Sequence, residues 1–142
     1  MKQSLHHLQI PTPGQGLHPI TAPVCAWVAA QGVGAGLLTV WCRHTSCSLL
    51  VQANADPDVA ADLQAFFTRL APEGHGLYRH EPQELDNMPA HLRAALTAVQ
   101  VSVPVDGGRP TLGRFQDLYL FEHQHGPHDR TLILHLIGEP AA

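Results

Sequence analysis

The spacing of apolar and polar positions changes period several times along the chain, and those changes divide it into elements. Residues 4–10 set Leu5, Leu8 and Ile10 among polar neighbours and stop at Pro11 and Pro13, which predicts a first strand followed by a loop through Pro19. Thr21 is placed to cap a short helix whose Val24, Trp27 and Val28 share a face, and Gly32, Gly34 and Gly36 make its continuation costly. Residues 37–51 are rich in β-branched and apolar side chains, but Arg43, His44, Thr45 and Ser46 interrupt them. This stretch reads as one broken strand or as two strands.

Asp56-Pro57 supplies an N-cap and a first-turn proline, after which Val59, Leu63, Phe66, Phe67 and Leu70 recur at helical spacing until Pro72 and Gly74. Residues 73–85 hold few apolar side chains and predict an irregular excursion carrying His75, Tyr78 and His80. A second amphipathic helix follows Pro89, with Leu92, Ala95, Leu96 and Val99 as its apolar face and Asp86 or Asn87 as its cap. The period then shortens to two through Val101, Val103 and Val105, and Asp106-Gly107-Gly108 signals a hairpin. Residues 115–123 alternate and residues 131–137 are strongly apolar, with a loop at 124–130 between them. Strands, a helix, strands, a helix and then hairpins make an α+β domain with a largely antiparallel sheet or sandwich, over residues 1–142 as one unit.

Hydrophobic residues at 44% and charged ones at 14% fit a folded globule with surface left for a subunit interface. A net charge of -4 offers no patch able to neutralise a run of phosphates, so nucleic acid is excluded as a partner. No long apolar run and no charged leader followed by an apolar stretch is present, which leaves no membrane partner and a cytoplasmic location as the expectation. Cys25, Cys42 and Cys47 form no CxxC and read as free, buried thiols.

His44 breaks a strand, His80 lies in the polar excursion, and His91 falls near a helix start, where the positive dipole end disfavours protonation. Neutral imidazoles from such positions suit a divalent metal, although their spacing does not bring them together and separate structural histidines are the simpler account. His123, His125 and His128 make a second set, of which alternation puts His123 and His125 on one strand face, better explained as an exposed polar hairpin. Capping accounts for one of Asp86 and Asn87, leaving the other for metal or substrate. Thr45 and Ser46 beside His44 lack the flanking pattern of a nucleophile elbow. Gly107-Gly108-Arg109 and Gly113-Arg114 could approach a phosphate, and turn glycines beside solvated arginines explain them equally well.

Taken together, His44-Thr45-Ser46-Cys47-Ser48-Leu49, Asn54-Ala55-Asp56-Pro57-Asp58-Val59, Tyr78 with His80, Asp86-Asn87-Met88-Pro89-Ala90-His91 and Gly113-Arg114-Phe115-Gln116-Asp117-Leu118-Tyr119-Leu120 resemble the YjbQ family. This family is also called UPF0047 or secondary thiamine-phosphate synthase. The resemblance runs from about Leu5 to Gly138 and implies a YjbQ-like antiparallel β-sandwich with two or three helices, assembled as a homotrimer. It further implies a cluster of His44, His80 and His91, with Asp86 and Asn87 alongside, and a secondary activity joining a pyrimidine diphosphate to a thiazole phosphate. Ala53 stands where the family usually has glutamate, and Arg114-Phe115 where it has Thr-Trp.

The resulting expectation is a small enzyme acting on a phosphorylated metabolite. His44, His80 and His91 would hold a divalent ion, Zn or Mg, with Asp86, Asn87 and His91 as catalytic groups. Thr45, Arg109, Arg114 and Gln116 would bind substrate. The alternatives are a trimeric module that binds a phosphometabolite without turnover, and a metal-dependent hydrolase.

Overall fold

A computed structural model describes all residues, Met1–Ala142. The chain runs β1 (Lys2–Thr12), β2 (Gly16–Pro19), α1 (Thr21–Ala29), β3 (Val33–Cys42), β4 (Cys47–Ala53), α2 (Pro57–Leu70), α3 (Asn87–Leu96), β5 (Gln100–Asp106), β6 (Arg109–Pro110), β7 (Gln116–Glu122) and β8 (His128–Pro140). Five strands make one sheet in the order β1-β8-β3-β5-β6, and three make a second in the order β2-β7-β4. Every pairing is antiparallel. The α+β expectation holds.

The core lies where the inward faces of the two sheets meet. Leu38, Val40 and Cys42 of β3 and Leu132, Leu134 and Leu136 of β8 come from the large sheet, Leu49, Leu118 and Leu120 from the small one, and Ile20, Val24 and Val28 close the end at α1. Leu8 and Ile10 point the same way from β1, but Leu5 is 61% exposed on the opposite face. Its place is the reason the alternation there looks imperfect. The outer face of the large sheet also carries Leu37 beside its cross-strand partner Ile137, and Trp41 beside Ile133.

The break at residues 43–46 separates strands that belong to different sheets, so the two-strand alternative is the observed one. Gly107 and Gly108 both have positive φ and form the two-residue turn that pairs Asp106 with Arg109. Asp56 caps α2 by accepting from the Asp58 amide at 2.9 Å. Thr21 does not cap α1. Its hydroxyl donates to Asp117 Oδ1 and accepts from the Leu118 amide, tying the helix start to β7, while Ile20 stands at the N-cap. Residues predicted as loop include β2, which is extended because it pairs with β7.

The last helix differs most from expectation. α3 begins at Asn87, two residues before Pro89, which its first turn tolerates because no intrahelical N–H is needed there. The buried side is Pro89, Ala90 and Arg93, whereas the apolar positions Ala95, Leu96 and Val99 are exposed. Arg93 is 1% exposed, and its Nη2 donates to the Ala71 carbonyl at 2.9 Å. Asp86 occupies the N-cap position but neither it nor Asn87 satisfies the helix amides, because other partners hold both side chains.

Candidate functional site

The chain after α3 is strapped onto the sheets by three backbone bonds: Leu49 N–H to Ala98, Ala98 N–H to Leu49 and Cys42 N–H to Val99. Between this strap and the β3–β4 turn lies an open cavity of about 400 Å³. The turn contributes His44 and Thr45, β4 contributes Cys47 and Ser48, and α3 with its strap contributes His91, Ala94, Ala95 and Val99. Its walls are half apolar, and its polar groups are two imidazoles and two hydroxyls.

The hydrogen bonds of the imidazoles decide what each can do. His91 Nδ1 lies 2.8 Å from the Thr45 carbonyl oxygen, which can only accept, so Nδ1 carries a proton and in the neutral ring Nε2 keeps its lone pair. His44 Nε2 accepts the Thr131 amide at 2.9 Å, so in the neutral ring the proton is on Nδ1 and no lone pair is left over. Burial, followed by the charge of Arg130, holds the His44 pKa below the usual histidine range, so the ring is neutral near pH 7. The cavity therefore holds one imidazole acceptor and one imidazole donor.

His80 reaches this region from the polar excursion. Its ring centroid is 5.7 Å from that of His91, and its Nε2 is 2.7 Å from Asn87 Oδ1. The expected three-histidine metal centre does not assemble within the chain, since no three His, Cys, Asp or Glu side chains gather closely enough to hold an ion. The reason lies in the donor set: the Thr131 amide already takes the His44 lone pair, which leaves two of the three rings with a free one. The second set is not wholly the exposed hairpin expected of it. His123 is buried, whereas His125 contacts Glu73 at the surface and His128 Nδ1 faces the Gly126 carbonyl. β7 ends at Glu122, so alternation does not continue through these residues.

Asp86 is turned to another cavity, lined also by Glu73, Glu84, Gln124 and His125, and its Oδ2 accepts the His125 amide at 2.6 Å. Arg109 borders a third depression, beside Gly107, Gly108 and the chain end. Arg114 lies over the Phe115 ring at 5.2 Å, and Gln116 Oε1 accepts the Gly113 amide. Of the expected site residues, His44, Thr45 and His91 share the cavity, and His80 and Asn87 stand behind His91. Asp86, Arg109, Arg114 and Gln116 do not line it.

Beneath the cavity runs a polar chain that the sequence reading missed. Thr97 Oγ1 is 2.6 Å from Ser48 Oγ, which is 2.9 Å from His123 Nε2. Burial, reinforced by the nearby Arg93 charge, pushes the His123 pKa down to about 3, so the ring is neutral. Next to it Glu122 accepts from Thr12 Oγ1 at 2.6 Å and from Arg130 Nε at 2.7 Å. The available signal was a serine inside apolar β4 and a Glu122-His123 pair ending apolar β7, since polar residues buried in such strands need partners.

Fold and cavity thus define a small α+β protein with two antiparallel sheets and a histidine-bearing pocket. A profile described as UPF0047 protein YjbQ-like matches residues 6–139. The chain is 46% identical over 138 residues to a UPF0047 protein of Synechocystis sp., covering 97% of this chain and 94% of that one. It is 33% identical to the UPF0047 protein YjbQ of Escherichia coli O157:H7, over 93% of this chain and 96% of that one. A conserved hypothetical protein from Thermus thermophilus superposes with a TM-score of 0.83 at 36% identity, covering 93% of this chain and 99% of that one. A YjbQ/UPF0047 protein from Clostridium acetobutylicum gives 0.84 at 29% identity, with coverages of 93% and 99%. The chain belongs to the UPF0047 YjbQ-like family.

Proposed function

We propose that the cavity binds a small heterocyclic phosphate and that the protein is a transferase of the thiamine-phosphate-synthase type. The observation that carries this is the pairing of His91, its Nδ1–H fixed by the Thr45 carbonyl, with His44, its lone pair taken by Thr131. The apolar wall of Ala94, Ala95 and Val99 suits a flat ring, and the two histidines supply an acceptor and a donor at its edge.

In this reaction the thiazole nitrogen attacks the pyrimidine methylene carbon, the carbon–oxygen bond to pyrophosphate breaks, and pyrophosphate departs with the electron pair. The chain has two tasks: to hold the rings in line and to stabilise the departing charge. His91 Nε2 accepts from an N–H or O–H of the bound ring. His44 Nδ1–H donates to the pyrophosphate oxygens. No arginine lines the cavity, so a divalent ion, Zn or Mg, carried on the substrate's phosphates would supply the positive charge there.

A homotrimer goes with this reading. Leu37, Trp41 and Ile137 expose an apolar face on the large sheet, and Trp41 sits one residue before Cys42, whose amide bonds the Val99 strap at the cavity wall. In this reading a second copy on that face supplies Arg109, Arg114 or Gln116, none of which lines the cavity within one chain. Cys25, Cys42 and Cys47 are free thiols, which suits a cytoplasmic location.

The test is turnover. Purified protein with a pyrimidine diphosphate, a thiazole phosphate and Mg²⁺ is expected to release pyrophosphate, and His44→Ala and His91→Ala to lose at least about tenfold, as for removal of a positioned donor or general base. Unchanged turnover in both variants would sink the assignment. One observation favours a phosphometabolite-binding module instead: of Asp86, Asn87 and His91, only His91 lines the cavity. Binding in a thermal-shift assay without product in any condition selects that reading.

A further inference from the structure

The thiols of Cys42 and Cys47 are outside the transferase reading and do not depend on it. Their sulfurs are 3.6 Å apart, buried, and positioned from two sheets: Cys42 ends β3 and Cys47 begins β4. The four residues between them include His44 and Thr45, the turn that builds the cavity. Cys47 lines that cavity, whereas Cys42 lies behind it with its thiol against the Cys47 and His44 carbonyls at 3.5 and 3.9 Å. A small oxidant entering the cavity meets Cys47 first, with Cys42 in contact on the protein side.

We propose that Cys42 and Cys47 are an oxidisable dithiol, a modification site in which peroxide converts the pair to a disulfide at the cavity wall. The Cys47 sulfur attacks one peroxide oxygen as its thiol proton departs, the O–O bond breaks, and Cys47 becomes a sulfenic acid while the other oxygen leaves as water with that proton. The Cys42 sulfur then attacks Cys47 sulfur, the S–O bond breaks, and the hydroxyl leaves as a second water with the Cys42 proton. Two thiols are oxidised by two electrons and one hydrogen peroxide is reduced to two waters.

Three features make the pair suited to this. A disulfide needs the sulfurs at about 2.05 Å, so the approach required is about 1.5 Å. The backbone around them is held by the Cys42–Leu132 and Cys47–Glu122 strand pairings, which keeps the pair from separating. Arg130 Nη2 lies 3.4 Å from the Ser46 carbonyl and is paired with buried Glu122, which fixes the turn between the two cysteines. Cys25 has none of this, being on α1 without a sulfur neighbour. Closure would draw Cys47 from the cavity wall and strain the turn whose Thr45 carbonyl anchors His91.

The native full-length chain is treated with hydrogen peroxide, alkylated with iodoacetamide and mapped by mass spectrometry. The expected result is loss of two hydrogens, a Cys42–Cys47 linked peptide, Cys25 still alkylated, and full reversal by dithiothreitol. Cys25→Ser should behave like the wild type. Cys42→Ser should stop at a Cys47 sulfenic acid that dimedone traps. Full alkylation of Cys42 and Cys47 after peroxide, a bridge involving Cys25, or bridge formation only after denaturation would each overturn the proposal. The wild-type map alone decides it if the Cys42 variant fails to fold.

Discussion

The 2.8 Å bond between His91 Nδ1 and the Thr45 carbonyl joins α3 to the β3–β4 turn across 46 residues of sequence and fixes the tautomer of the ring. A carbonyl can only accept, so the proton must be on Nδ1. At His44 the logic reverses but the tautomer is the same, because Nε2 receives the Thr131 amide proton. Two-bond nitrogen–proton correlation spectra at neutral pH are expected to show both rings as Nδ1–H tautomers. His44 should stay neutral to lower pH than a free histidine, since burial and then Arg130 depress its pKa. An Nε2–H ring at His44 would restore it as a metal-ligand candidate.

Asp86 is 7% exposed and accepts the His125 amide at 2.6 Å. Asp86→Ala removes that acceptor and leaves a donor without its partner, at a cost of about 1–3 kcal/mol. Asp86→Asn keeps an acceptor oxygen and should cost less. Urea unfolding of the three proteins checks this. A catalytic Asp86 would show the opposite pattern, with stability kept and turnover lost.

Local and distant partners divide what the sequence makes legible. The hairpin at Asp106-Gly107-Gly108-Arg109 is readable because a two-residue turn demands positive φ and glycine supplies it. The α2 cap is readable because Asp56 and the Asp58 amide are near neighbours. Asp86 and Thr21 fail as caps for one common reason: partners distant in sequence, His125 and Asp117, compete for side chains that local rules give to the helix. The polar chain under the cavity is invisible for the same cause, as Ser48 and His123 are 75 residues apart. The β2 strand exists only through its pairing with β7, and the exposed Leu96 and Val99 mimic a core-facing stripe.

Acid stability should follow His123. Its folded pKa is pushed down to about 3, burial first and then Arg93, whereas in the unfolded chain it takes the ordinary value near 6.5. The unfolded state therefore binds the additional proton between these limits, and stability rises with pH across that window. The contribution is fully present above about 6.5 and is lost as pH falls toward 3, at up to about 1.4 kcal/mol per pH unit for one group. Urea midpoints from pH 7 to pH 4.5 should fall, and His123→Gln should flatten that slope relative to the wild type. An unchanged slope would mean that His123 is protonated in the folded state.

Glu122 and Arg130 are a buried pair, with side chains 0% and 6% exposed. Desolvation raises the Glu122 pKa, but the hydrogen bonds from Arg130 and Thr12 outweigh it and the carboxyl stays below its usual range. Removing one partner strands the other charge, so Glu122→Leu or Arg130→Met should each cost about 3–5 kcal/mol. The double variant should recover much of that loss. Additive losses in a double-mutant cycle would show that the two are not coupled.

The outer face of the large sheet sets the last prediction. Leu37 and Trp41 are 42% and 47% exposed, and their cross-strand partners on β8 are Ile137 and Ile133, so the apolar positions are neighbours. Such a contiguous face on a chain with few charged residues is suited to burial against another copy. Trp41→Glu or Leu37→Glu puts a charge where that contact would form, but at a position solvated within one chain. Light scattering should show a trimer for the wild type and monomers for both variants, while circular dichroism stays the same and intrinsic stability moves by about 0.5 kcal/mol or less. A wild-type monomer at micromolar concentration, or variants that keep the wild-type mass, would remove this face as the interface.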